Sequence, residues 1–382
     1  MKEKINVKIL GSILVGILIV VGISYGGYKL LNKEKANENI NQSIKNAEIA
    51  FRRNGNVYIL NDGQEIQLTT DGKCLVSFTE DKINNFINPI YDYPCYKILD
   101  SSNQNLILLK YYKYPKYQEQ LLVYSLDTQS FHYFNNNPDF ETPIAWNTQK
   151  DKFVFKSEYN IIKVDTNDFS EEKLLTYEPI VGCGGMTNSE YGFIYDEEVG
   201  TFRMTGGETL IWDEDNNIIV TNTNCDYSGI KSFYYQQNTN IDWPYNLVRA
   251  KSSNNSLKVA IFDDKKLDIY NLEAQIIKSY KSPVIGKLPL WTNYDSIVFV
   301  SDKDIWQFDI ITGEFLKLYS LQNGFPVKLS VKNNILYFSI LREYQNITQV
   351  DIGSLREISK LNLETKQSIK ILDNADSPTV IK

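Results

Sequence analysis

The sequence predicts an all-β chain made of repeated four-stranded units, set behind one apolar helix near its start. Three observations predict it. Leu288 to Leu321 (LPLWTNYDSIVFVSDKDIWQFDIITGEFLKLYSL) reads as four short strands with tight turns between them, and variants of it recur after residue 46. The chain has 26 Tyr and 18 Phe, with abundant Ile and Asn, a composition suited to strands joined by polar turns. Ile9 to Tyr28, by contrast, is an unbroken run of 20 uncharged residues dominated by Ile, Leu, Val and Gly.

The repeated unit has a simple physical logic. Leu288 to Thr292 is a short apolar piece that ends at the turn signal Asn293-Tyr294-Asp295. In Ser296 to Ser301 four apolar residues stand in a row (Ile297, Val298, Phe299, Val300), as expected of a strand buried on both faces. Asp302-Lys303-Asp304 is a polar hairpin connection, and Ile305 to Ile310 resumes the strand. Thr312-Gly313 breaks the run, because glycine takes positive φ without steric cost, and Phe315 to Leu321 alternates as a more exposed outer strand. Four antiparallel strands in about 40 residues make one blade of a β-propeller. Blades stack face to face around an axis, which leaves the middle strands no wet side.

The apolar run comes first in the chain. Twenty residues at roughly 1.5 Å each match the ~30 Å hydrocarbon core of a bilayer. The expected organisation is a short cytoplasmic tail over 1–8, a transmembrane signal anchor over 9–31, a linker over 32–46 and the propeller over 47–382. A cleaved signal peptide is the rival reading; its apolar core would be shorter, and Ser24-Tyr25-Gly26 is a weak cleavage site. Lys2, Lys4 and Lys8 precede the run while Lys29, Lys33 and Lys35 follow it, so the positive-inside rule barely orients it. The short tail and large following domain favour a C-terminal domain outside the cytoplasm.

The blades follow in order. Ile49 to Arg52, Asn56 to Leu60 and Glu65 to Thr69 supply three strands of the first, with the hairpin signal Asn61-Asp62-Gly63 between the last two. Its missing inner strand is expected from Ser377 to Lys382, since pairing strands from both ends closes the ring and removes free edges. Leu106 to Lys113, Gln120 to Leu126 and Phe131 to Phe134 form the second, with an inner strand somewhere in Phe86 to Ile98. Ile144 to Trp146, Lys152 to Lys156, Asn160 to Val164 and Lys173 to Thr176 form the third. Tyr191 to Tyr195, Thr201 to Thr205, Thr209 to Trp212 and Ile218 to Asn222 are expected as the fourth. The fifth spans Leu247 to Tyr280, the sixth is the unit already described, and the seventh spans Val327 to Leu372. Six and eight blades are the alternative counts, because the first, second and fourth units are irregular. One turn recurs between third and fourth strands, in Leu126 to Phe131, Val164 to Phe169, Ile311 to Phe315 and Leu363 to Lys366.

Gly55 to Gly63 (GNVYILNDG) with Gln67-Leu68-Thr69, and Asp304 to Asp309 (DIWQFD), resemble the WD40-like propeller repeats of bacterial extracytoplasmic proteins of the TolB type. The likeness extends loosely over residues 47 to 382. The family's usual Ser-Pro-Asp-Gly turn is replaced by Trp146 to Asp151 and Trp291 to Asp295. The resemblance implies a propeller fold and, for most members, a protein-binding scaffold role.

The residue inventory narrows the chemistry. The net charge of −7 argues against nucleic acid, whose binding needs a basic surface. His132 is the only histidine, so any serine or cysteine triad, or any multi-histidine metal site, would have to use it. Its setting in Ser130 to Phe134 reads as an ordinary outer strand. Gly182 to Gly185 lacks the third glycine of a dinucleotide loop, and Asp213 to Asn217 lacks the glycine and glutamate of a calcium loop. No cofactor or metal is expected. Cys74, Cys95, Cys183 and Cys225 lack C-x-x-C spacing and sit in the two most disturbed regions. Cys74–Cys95 and Cys183–Cys225 bridges suit an extracytoplasmic domain, with buried free thiols the other reading.

Two aromatic stretches are the expected contact surfaces. Phe233 to Tyr245 (FYYQQNTNIDWPY) reads as a long inter-blade insertion offering Tyr234, Tyr235, Asp242, Trp243 and Tyr245, unless those rings simply pack beneath it. Tyr111 to Tyr117 (YYKYPKY) reads as a hairpin tip on the second blade, presenting Tyr112 and Tyr114. The expected function is a membrane-anchored extracytoplasmic propeller that binds a protein partner or a cell-envelope polymer. The alternative is a glycan hydrolase or lyase using paired carboxylates in the central funnel.

Overall fold

The computed structural model describes residues 47–72, 76–81, 86–91, 95–102, 105–113, 118–136, 144–147, 149–157, 160–176, 193–196, 201–204, 209–212, 218–223, 230–234, 239–243, 250–252, 258–263, 265–271, 275–293, 295–341 and 356–381. The expected membrane span and linker lie outside these residues. Among the described residues no helix is long and apolar enough to cross a membrane.

The described chain is a β-propeller with seven four-stranded antiparallel sheets. The first blade orders its strands from outside inward as Gln64–Gln67, Asn56–Asn61, Ile49–Arg53 and Asp376–Val380, so its innermost strand comes from the far end of the chain. The closing register pairs Ile49 with Val380 and Arg52 with Asp376. The second blade runs outward from Cys95–Ser101 through Leu106–Lys113 and Gln118–Ser125 to Ser130–Tyr133, and the third from Ile144–Trp146 to Glu171–Thr176. Blades five, six and seven begin at Ala250–Ser252, Lys287–Asn293 and Phe325–Lys332. Inner strands pack side by side around the axis: Asp376–Val380 touches both Cys95–Ser101 and Phe325–Lys332, which in turn touches Lys287–Asn293.

Blade four differs from the sequence expectation. Its strands are Thr209–Trp212, Ile218–Thr223, Ile230–Tyr234 and Thr239–Trp243. Phe193–Asp196 and Thr201–Met204, expected as its first half, form a separate two-stranded hairpin. The stretch expected as an inter-blade insertion instead holds the end of Ile230–Tyr234 and all of the outermost strand, Thr239–Trp243. Its polar, aromatic pattern resembles a loop because an outer strand has one solvated face and needs no apolar run. A second hairpin, Val76–Asp81 with Phe86–Tyr91, lies between blades one and two. Both hairpins leave from the connections between blades, hence from the same rim of the ring, and Phe86–Tyr91 meets Thr201–Met204.

The core lies between the sheets. Leu106, Leu108, Leu121 and Val123 of blade two pack on Phe153, Phe155, Ile162 and Val164 of blade three. Blades five and six share Phe262, Leu267, Ile269, Phe299 and Phe308, with Trp291 fully buried among them. Trp146 and Trp291 occupy matching inner-strand positions, opposite Phe153 and Ile297. The middle strand Ser296–Ser301 is buried at every position, as its unbroken apolar run requires.

The recurrent turn has a common mechanism. Asp309 Oδ1 accepts from the backbone nitrogens of Ile311 and Thr312, at 2.9 and 2.8 Å. Asn362 Oδ1 accepts likewise from Glu364 and Thr365, both at 2.9 Å. Each of these turns then needs one residue in the left-handed region, filled by Gln129, Phe169, Gly313 and Lys366 with φ of 52°, 56°, 75° and 59°. Only Gly313 adopts it without a Cβ penalty.

An aromatic shelf around Asp71

The described part of the second expected contact surface leads to a site on blade two. Tyr111, the first residue of the YYKYPKY stretch, lies directly across from Tyr96 on the inner strand. On this same face of the sheet, Ile98, Ile107, Leu109 and Leu122 are buried. The same face carries Tyr96 and Tyr111 toward the rim that bears the hairpins and, on the outer strand, Tyr133 and Phe131 opposite Leu122 and Tyr124. Tyr96 is buried, Tyr111 and Phe131 are half-buried, and Tyr133 is 52% exposed.

The rings form a continuous row. Tyr96 and Tyr111 have centroids 4.8 Å apart and planes inclined by 44°. Tyr96 and Phe131 stack at 6.4 Å and 21°, and Phe131 meets Tyr133 at 6.2 Å and 39°. Tyr124, directly across from Phe131 on the neighbouring strand, meets it edge-on at 4.8 Å.

Asp71 completes the site from blade one. The Tyr96 hydroxyl donates to its Oδ1 at 2.9 Å and the Tyr111 hydroxyl to its Oδ2 at 3.3 Å. The exposed carboxylate is held by a buried polar frame. Asn56 Oδ1 accepts from Gly72 N at 2.8 Å and its Nδ2 donates to Gly72 O at 2.8 Å. The Thr69 hydroxyl donates to Asn56 Oδ1 at 3.1 Å and accepts from Val57 N at 2.9 Å. Tyr96 N donates to Gly55 O at 3.1 Å, which ties blade two to the same turn. A Cβ at Gly72 would collide with Gly55 O and stand 2.9 Å from Asn56 Oδ1, so only glycine fits beside Asp71.

Burial and the neighbouring Asp71 push the hydroxyls of Tyr96 and Tyr111 above the ordinary phenol range. Both therefore hold their protons and act as donors at neutral pH. Among the described residues no lysine or arginine pairs with Asp71. The arrangement offers flat apolar rings, polar ring tips and a carboxylate with lone pairs to spare.

The sequence-derived candidates are not gathered into one place. Tyr112 is the penultimate residue of Leu106–Lys113, at the rim of the shelf. Asp242 and Trp243 end the outer strand of blade four, two blades away on the same rim. Tyr234 ends a strand that runs toward the opposite rim. Tyr114, Tyr235, Tyr245, Cys74, Cys183 and Cys225 lie outside the described residues. Cys95, at the start of its strand, is disulfide-bonded. Sequence reasoning missed Asp71, Tyr96 and Tyr133; the Asp71-Gly72 pair after Thr69 was the available signal, and it reads only as a turn.

His132 is spent on packing, stacked on Phe169 at 4.4 Å and 16° and edge-on to Phe134 at 5.1 Å. On the seven inner strands the only carboxylates are Asp100 and Asp376. Lys150 Nζ lies 3.3 Å from Asp100, and Asp376 is held by Arg52 and Arg356.

No family model matches the chain, and no curated protein matches it in sequence. Among solved structures it is similar to the β-propeller domain of Cps50 (Swd1) from Myceliophteria thermophila, with 9% identity, a TM-score of 0.48, and 74% of this chain and 87% of that one covered. An oligogalacturonate lyase from Vibrio parahaemolyticus aligns with 11% identity and a TM-score of 0.47, over 78% and 85% of the two chains. TolB from Acinetobacter baumannii aligns with 9% identity and a TM-score of 0.43, over 88% of this chain and 67% of that one.

Proposed function

We propose that this chain is a membrane-anchored, extracytoplasmic β-propeller that serves as a binding scaffold, with the aromatic shelf on blade two as its contact surface for a partner in the cell envelope. The shelf carries the reading: exposed and half-buried rings gathered around a carboxylate that a buried frame holds in place. Tyrosine is enriched where proteins make contact, because its ring buries large area while its hydroxyl stays satisfied. The uncharged run from Ile9 to Tyr28 supports the anchor, and the TolB-type repeat pattern supports the scaffold role.

The test is site-specific photocrosslinking of the full chain in its native membranes. A benzoylphenylalanine at Tyr133 probes the shelf, and one at Ile369, 59% exposed on the outer strand of blade seven, serves as control. A partner captured reproducibly from position 133 and not from 369 is the expected result. Equal capture, or none, at position 133 refutes the contact surface.

A further inference from the structure

We infer that the shelf around Asp71 binds a neutral glycan chain, with sugar rings lying on Tyr111, Phe131 and Tyr133 and a sugar hydroxyl donating to Asp71. The inference rests on the shelf being the contact surface and names the class of ligand it fits.

Three features select that class. The first is charge. Asp71 is exposed and, among the described residues, its only partners are the hydroxyls of Tyr96 and Tyr111. An anionic polymer would bring a second negative charge against that carboxylate with no described cation to offset it, which disfavours phosphate- or uronate-bearing ligands. The second is shape. The rings run in a row with inclinations of 44°, 21° and 39°, not as perpendicular walls around a hollow. A box of rings suits an ammonium group, whereas a row presents successive flat apolar faces to the C–H faces of successive sugars. The third is hydrogen bonding. Each Asp71 oxygen takes one phenol and keeps further acceptor capacity, and hydroxyl groups are the donors that approach such an oxygen without bringing a charge. A peptide side chain finds no aliphatic pocket here, because Ile98, Leu109 and Leu122 on this face are already buried.

The frame holds the site in one arrangement. Asp71 and Tyr96 are tied through Asn56, Gly72 and the Gly55 turn, so little ordering remains to be done on binding.

The experiment is isothermal titration of the full chain, in a sugar-free detergent, with cellohexaose, chitohexaose and maltohexaose. A galacturonate hexamer and hexalysine serve as the anionic and cationic comparisons. Saturable binding of at least one neutral hexasaccharide is expected, weakened about tenfold by Tyr133→Ala through loss of one stacking face. Tyr133 is exposed, so its variant should melt as the parent does; if it does not, Asp71→Asn and Tyr111→Phe supply the same comparison. The glycan assignment is overturned if none of the three neutral probes binds, or if binding is indifferent to all three substitutions. It is also overturned if hexalysine or a crosslinked protein occupies position 133 instead, an outcome that leaves the contact surface itself standing. Failure of crosslinking at position 133 would instead remove the contact surface.

Discussion

Replacing Asp376 by alanine should open the ring where its two ends meet. Asp376 begins the innermost strand of blade one, and its side chain has no solvent exposure. Arg52 grips it in bidentate fashion, Nε to Oδ1 at 2.8 Å and a terminal nitrogen to Oδ2 at 2.6 Å. Arg356 of blade seven adds a third contact to Oδ2 at 3.4 Å from a side chain that is also fully buried. The substitution leaves two buried guanidinium groups without that carboxylate, a change that typically costs about 3–5 kcal/mol. A domain has only about 5–15 kcal/mol in total, so the unfolded fraction should rise by about a hundredfold or more. Denaturant unfolding of the full chain measures the loss. Hydrogen exchange over Ile49–Arg53 and Asp376–Val380 shows where it falls, and these amides should open before those of blade six. Asp373→Ala is the control, since its pair with Lys370 joins side chains 59% and 49% exposed and should change stability by no more than about 0.5 kcal/mol. A loss below about 1 kcal/mol for Asp376→Ala, or unchanged exchange in the two closing strands, would refute the reasoning.

Gly72→Ala should cost about 1–3 kcal/mol, because the atoms its methyl meets include backbone that cannot swing aside, and the carboxylate beside it should leave the tyrosines. Thermal melts and the Tyr96 and Tyr111 ring resonances would report both effects; a variant as stable as the parent with unmoved resonances contradicts the frame. Lys366→Gly should stabilise by about 0.5–1 kcal/mol, since glycine takes the left-handed conformation now imposed on a Cβ-bearing residue. A loss of stability in denaturant unfolding would show that the turn gains more from the side chain than it loses in strain. Alkaline titration is the last. Burial, then Glu48 nearby, raises the Tyr337 hydroxyl from 10.0 to about 12, and burial also raises Tyr96, Tyr111 and Tyr124. The folded state holds these protons more tightly than the unfolded chain. Their contribution is therefore complete below pH 10 and is lost as the pH climbs toward the folded values. Phenolate absorbance should show a late, cooperative group that disappears in denaturant; a single ordinary transition in the folded protein would contradict the assigned burial.

By itself the sequence determined the strand-turn period, the recurrence of one turn between third and fourth strands, and the burial of runs such as Ile297 to Val300. These are properties of residues within one or two turns of each other, where alternation, β-branching and side-chain acceptors act directly on the local backbone. The pairing of the chain's two ends was legible too, because three strands with no inner partner demand one. Blade four was misread where its outermost strand, Thr239–Trp243, sits in a stretch whose Tyr, Gln and Asn look like a loop; only pairing with Ile230–Tyr234 makes it sheet. The shelf was hidden more deeply. Asp71, Tyr96, Tyr111 and Tyr133 span three strands and an inter-blade connection, and none carries a local sign of the others. Tertiary structure alone decided their meeting, because register fixes which face each tyrosine takes and blade stacking brings Asp71 to their hydroxyls. A shift of one residue in Cys95–Ser101 would send Tyr96 to the opposite face, although the composition of the strand would be unchanged.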